Sequence, residues 1–141
     1  MDILVHNTCE KIRLPRKNGK WSGTPGESNW FSKNAKVNKV TGNKPIPFRN
    51  GRPDFSEWSK GKLTFNMGDL TGKHSDFSLV YEQIMKSKNL SSKTQAKKWL
   101  SQKGLTPHHA SLTEIQLIPT DLHKNIPHIG SASDLRRLAQ G

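Results

Sequence analysis

Residues 106–128, TPHHASLTEIQLIPTDLHKNIPH, constrain this chain more than any other stretch. They hold four of its six histidines, two of them adjacent, around one short apolar run. Ile115 to Ile118 reads as a strand, and His108-His109 lies on a second short strand before it. Pro119 and Asp121 open a short helix, since proline is tolerated in a first turn and a carboxylate there complements the helix dipole. A β-hairpin followed by a helix can carry its first strand and its helix to one point, where the imidazoles would meet.

Neighbouring residues on a strand point to opposite sides, so His108 and His109 can play different parts. One can hold a divalent ion while the other takes a proton from water as a general base. Three imidazoles suit Zn²⁺ by ligand type, with Ni²⁺, Mn²⁺ and Mg²⁺ left open. Each histidine taken singly reads first as a solvated surface residue; it is the set, with its tandem pair, that points to a site. A purely structural metal site would use the same ligands with no need of the fourth imidazole. His123 and His128 are five residues apart, about 140° around a straight helix, too far for shared ligation. Pro127 is expected to break the helix and let His128 reach the ion from a bent segment.

The other bounds come from composition. A chain of 141 residues fits one ordinary domain, and a hydrophobic fraction of 31% limits it to a small core with much loop. A net charge of +12 and a pI near 10.1 point to a polyanionic partner: nucleic acid first, then an anionic membrane surface or an acidic protein inhibitor. No apolar run approaches the roughly 18 residues needed to span a bilayer, which excludes membrane insertion by a helix. Cys9 is the single cysteine, so neither an internal disulfide nor a cysteine-based zinc cluster is possible.

Along the chain, residues 1–45 are rich in Lys, Asn, Gly and Ser and show no sustained period; 1–19 reads as a flexible lead-in and 20–141 as the functional domain. Trp30 and Phe31 are expected to pack on the core. Asn50-Gly51 suits a two-residue hairpin turn, with Pro45, Pro47 and Pro53 demoting its arms to edge strands. KLTFNM, 62–67, alternates as a half-buried strand. Phe77, Val80, Tyr81, Ile84 and Met85 form one helical stripe over 75–89, capped by Ser75 or Asp76. A second helix over 92–103 buries Ala96, Trp99 and Leu100 and ends at Gly104, and a last one covers 133–138. His74 and Asp76 are expected to begin a helix and not to join the site. Arg49, Arg52, Lys60, Lys62 and Lys73 flank the strands as candidate phosphate contacts, or as an ordinary solvated basic face.

HHASLTEIQLIPTDLHKNIPHIGSASDLR resembles the HNH nucleases of ββα-metal fold, closest to the WHH/GHH-like branch found at the tips of bacterial polymorphic toxins. The likeness rests on the tandem His108-His109, QLIP at 116–119, Leu122-His123, and His128 two residues before Gly130. It implies that His109 is the general base and that His108, His123 and His128 hold one divalent metal. Apart from the resemblance, Arg136 follows the cluster and reads equally as a group that stabilises charge on the phosphate or as an ordinary exposed helix arginine. Pro107 stands where the branch has Trp or Gly, and the middle Asn has no equivalent; Glu114 and Gln116 are the candidates to steady the base loop in its place. ILVHNTC, residues 3–9, looks like the end of a Hint-type pretoxin domain, with His6 and Asn7 as the remnant of an autoprocessing site.

The sequence therefore sets these expectations: an α+β fold with a ββα-metal core, additional helices and an extended N-terminal region. Function is expected to be metal-dependent cleavage of DNA with low sequence specificity, as the C-terminal toxin of a larger secreted protein that acts in the target-cell cytoplasm. Its partner would be an acidic immunity protein. Two rivals stand: a ribonuclease using the same site, and a non-catalytic nucleic-acid-binding module with a structural metal.

Overall fold

The computed structural model describes residues 13–140, so the expected autoprocessing remnant, His6 and Asn7, lies outside the described residues. The fold is α+β, built on two small antiparallel sheets. The first has the order β1 (Gly19–Trp21), β2 (Asn29–Ser32), β3 (Ile46–Arg49), β4 (Arg52–Pro53), with helix α1 (Ala35–Thr41) between β2 and β3. The second has the order β5 (Lys62–Thr64), β7 (Glu114–Pro119), β6 (Leu105–His109). Helices α2 (Asp76–Ser87) and α3 (Lys93–Lys103) lie between β5 and β6 in the chain, and α4 (Thr120–Asn125) and α5 (Ala132–Gln140) come after β7. The unit β6–β7–α4 is the expected ββα core.

Local chemistry accounts for most boundaries. Asn50 and Gly51 both take positive φ, 54° and 75°, the geometry of a two-residue hairpin, and place Arg49 opposite Arg52. Ser92 caps α3 through its hydroxyl on Gln95 N, and Gly104 closes it in the left-handed conformation. Pro107 sits in β6, an edge strand of its sheet, where proline is tolerated. Pro47 departs from the expectation, because β3 is internal to its sheet. There β2 is reached through Phe48 N, which donates to Ser28 O, while Pro47 uses only its carbonyl, accepting from Asp54 N; no N–H is needed at 47.

Residues 19–41, expected to be extended and without a period, contain β1, β2 and α1. These elements are too short for a period to develop. Their signals are local: the Asn34 side chain accepts from Lys36 N and Val37 N at one end of α1, and Gly42 is left-handed at the other. Trp30 is buried as expected, whereas Phe31 remains exposed, as alternation along β2 requires.

The same alternation in β7 divides the core in two. Ile115 and Leu117 face a cluster with Leu70, Val80, Ile84, Ala96, Leu100 and Leu135. Ile118 faces the other way, with Trp30, Val37, Ile46, Phe48, Phe55, Trp58, Leu122 and Ile126. The central strand is thus covered on both sides, and β6 beside it inherits two different environments. Ile118 is fully buried, so Ile118→Ala is expected to cost about 2–5 kcal/mol. Phe31→Ala is expected to stay within about 0.5 kcal/mol. Urea denaturation of both proteins checks the pair.

Candidate metal centre

His108 pairs with Gln116 and His109 with Ile115 across the β6–β7 ladder. Paired residues share a face, so His108 joins the Ile118 side and His109 the Ile115 side. On the first side α4 presents His123. The helix then stops: Ile126 is extended, with φ −117° and ψ 105°, and the chain turns at Pro127 to bring His128 back. The bend expected from Pro127 is observed, and the His123 and His128 rings stand with centroids 4.7 Å apart.

One ring nitrogen each from His108, His123 and His128 lies within 4.8 Å of the others. His108 Nδ1 and His123 Nε2 are 3.3 Å apart, close to the separation of two nitrogens bound at about 2.0–2.1 Å to one tetrahedral ion. His128 Nδ1 donates to Ile126 O at 2.6 Å, which leaves its Nε2 lone pair for a ligand and fixes the tautomer. Phe55, itself buried, forms the floor, its ring centroid 5.2 Å from that of His108 and 5.3 Å from that of His128. The donor set fits a divalent ion.

Electrostatics agree. Burial, reinforced by the neighbouring His123, His128 and His109, lowers the pKa of His108 to about 3. Burial and then His128 lower that of His123 to about 4. Burial lowers His128 as well, helped by the charge of Arg13 and opposed by its bond to Ile126 O. All three imidazoles are neutral at pH 7, with lone pairs free for coordination.

On the opposite face His109 Nε2 lies 2.9 Å from Asp76 Oδ2, both side chains buried. Asp76 begins α2 as expected and also joins the site, which sequence reasoning missed. Its carboxylate accepts from Thr71 N (2.9 Å), Thr71 Oγ1 (2.8 Å) and Gly72 N (2.7 Å). Burial raises its pKa, but the bonds from Thr71, His109 and Gly72 outweigh that and the net shift is downward. Asp76 is a carboxylate, so the proton of the shared bond resides on His109 Nε2. Nδ1 of His109 has no partner among the described residues. It is also not among their fully buried unpaired polar atoms, of which Thr41 Oγ1 is the single case.

The other candidates are scattered. Arg52 donates to Gly130 O (2.7 Å) and pairs with Asp134 (2.8 Å), beside the metal loop. Arg136 donates to Gly72 O at 2.6 Å. Lys73 is exposed in the loop before α2, Lys62 is exposed on β5, and Arg49 is exposed at the end of β3. Gln116 bonds Ser56 and Glu114. The loop after His109 is held by the Glu114 carbonyl, which accepts from Ala110 N and Ser111 N, and not by the Glu114 side chain.

A ββα unit with three convergent imidazoles that could hold a metal ion, and a fourth alongside, defines a small α+β domain with a candidate metal site. Residues 46–130 match the family described as the DNase/tRNase domain of colicin-like bacteriocin. The match spans more than half of the chain, from β3 through Gly130, and the chain belongs to that family. It is therefore a nuclease toxin domain, and its substrate is nucleic acid. No curated protein and no solved structure matches the chain. Among the described residues no helix is long and apolar enough to cross a membrane.

Acid and backbone strain each have a measurable consequence here. Below pH 6.5, the ordinary histidine value, the unfolded chain binds protons that folded His108 and His123 refuse down to about 3 and 4. The stability they contribute is intact above pH 6.5 and lost as pH falls. Thermal unfolding of chelator-treated protein is expected to show the melting point declining between pH 6.5 and about 4.5, before carboxylates titrate, and declining less in His123→Asn. Gly72 has φ +79°, and a Cβ there would lie 2.2 Å from Ala132 O. Gly72→Ala is expected to cost about 1–3 kcal/mol in backbone strain alone, and more from displacing α5, as a lowered denaturation midpoint.

Proposed function

We propose that this chain is a metal-dependent endonuclease of HNH type that hydrolyses DNA with little sequence preference. The observation that carries the reading is the meeting of three ligand nitrogens within 4.8 Å next to a histidine whose ring is held from behind. His108 through Nδ1, and His123 and His128 through Nε2, hold one divalent ion. When bound, that ion supplies positive charge to the phosphate and to the departing 3′-oxygen. His109 is the general base. Its Nδ1 removes a proton from water, the water oxygen attacks phosphorus, and the bond to the 3′-oxygen breaks.

Arg52 and Lys73 border the two halves of the site and contact phosphates of the bound strand, while Arg49 and Lys62 extend the basic surface. Arg136 stabilises charge on the phosphate through whatever part of its guanidinium is not engaged by Gly72 O. The net charge of +12 favours phosphate contacts through release of condensed counterions, with no need to read base edges. The domain acts as the C-terminal toxin of a larger secreted protein, related to the WHH/GHH-like branch and preceded by the pretoxin remnant at His6 and Asn7. It is delivered into the cytoplasm of a competitor cell and held in check in its producer by an acidic immunity protein. RNA is the second reading, since the family description itself covers both DNase and tRNase domains.

Supercoiled plasmid and total RNA, each incubated with wild type and His109→Ala in EDTA and in Mg²⁺, Mn²⁺, Ni²⁺ or Zn²⁺, test the proposal. Wild type is expected to smear plasmid and to lose activity in EDTA. His109→Ala is expected to bind metal normally and to cut about 10²–10⁴-fold more slowly. A few discrete DNA bands would refute low specificity, and cleavage confined to RNA would select the second reading.

A further inference from the structure

We propose that Asp76 is a positioning residue for strand cleavage: its buried carboxylate accepts the Nε2–H of His109, fixing the ring and keeping the reactive lone pair on Nδ1. The proposal rests on the assignment of His109 as the base and adds the group that makes it one. Thirty-three residues separate the two in the chain, so the pairing belongs to the tertiary fold and not to a local cap.

Every other group that Asp76 meets is a donor. Thr71 N approaches both oxygens, at 2.9 and 3.1 Å, Thr71 Oγ1 reaches Oδ1, and Gly72 N reaches Oδ2. With two backbone N–H groups and a hydroxyl already directed at it, the carboxylate has no proton to offer His109 and can act only as an acceptor. A neutral imidazole bonded to it must carry its hydrogen on Nε2, which makes Nδ1 the basic atom. An aspartate behind a catalytic histidine is known to act in this way in unrelated hydrolases.

The cradle is itself braced. Gly72 packs under α5, with the Ala132 carbonyl where a side chain would stand, and Arg136 bonds its carbonyl. Asp76 is 1% exposed and sits on the face of β6 away from the three convergent imidazoles. It is neither a ligand of the ion nor a contact for nucleic acid.

Nitrogen-15 imidazole spectra of the wild-type protein provide the first test, with His109→Ala to assign the signals. His109 is expected to show a protonated Nε2 and an unprotonated Nδ1 near neutral pH, with an exchange-protected ring N–H. The second test is Asp76→Asn, which keeps the shape and an acceptor oxygen for the loop but removes the charge. Its kcat on plasmid is expected to fall roughly 10- to 10³-fold, within what general-base catalysis contributes. KM should stay within about twofold, because no substrate contact is lost. Calorimetric Zn²⁺ titration is expected to give wild-type stoichiometry, and the His109 N–H signal to move upfield. A wild-type His109 protonated on Nδ1 overturns the proposal without any variant. So does a folded Asp76→Asn protein that cuts at the wild-type kcat while His109→Ala is inactive. If His109→Ala cuts normally, the base assignment fails first, and the role of Asp76 fails with it.

Discussion

Successive residues of a strand cannot face the same way, and the whole site depends on that restriction at His108 and His109. In an ordinary edge strand one of the two would face solvent. Here both are buried, because the β5–β7–β6 sheet is packed on each side by a separate cluster. Two chemically identical side chains therefore enter two environments. One meets imidazoles and an aromatic floor, where coordination is the natural outcome. The other meets a carboxylate, which settles its tautomer. Differentiation of function comes from pleat and packing, with no difference in residue type.

Much of this was legible in the sequence because it is written locally. The Asn50-Gly51 turn, the Ser92 and Gly104 caps, the stripe of α2 and the break at Pro127 are all decided by a few consecutive residues. The convergence of His108, His123 and His128 was legible for the same reason: all three belong to one contiguous ββα unit. Asp76 was not. An aspartate in the first turn of a helix is fully explained by the helix dipole, so the local chemistry had nothing left to account for. Its bond to His109 depends on where α2 packs against the second sheet, and single-residue chemistry does not encode that. Residues 19–41 were missed for a different reason. Strands of three and four residues and a helix of seven fall below the length at which hydrophobic period is measurable.

The candidate metal centre also shows why so basic a chain can bury three histidines. Each imidazole taken from water becomes a weaker base, and for His108 and His123 the neighbouring rings depress it further. Protonation would place like charges around the Phe55 ring. The folded apo protein is thus held to neutral imidazoles, and neutral imidazoles are what a divalent ion requires. Ion and fold favour the same protonation state. The fitness of the site for a metal ion and the acid sensitivity of the fold are two expressions of one burial.

The segment after His128 ties the half of the site that holds the three convergent imidazoles to the half that holds His109 and Asp76. Ser131 N donates to His109 O, Arg52 ties Gly130 O to Asp134 on α5, and Arg136 on α5 reaches Gly72 O. Helix α5 and the loop leading into it therefore touch β6, the metal loop and the Asp76 cradle together. A ββα unit alone would supply ligands on one face of β6 and leave the other face open. Residues 131–136 close that face against the 71–76 loop through backbone atoms and Arg136, and Arg52 fastens the segment from β4, so that two arginines of a strongly cationic chain are used. Part of the positive charge that composition assigns to the polyanion is thus engaged inside the fold. On the proposed reading such a link matters because the two halves would act on one phosphate, where misplacement by about 1 Å can cost two orders of magnitude in rate.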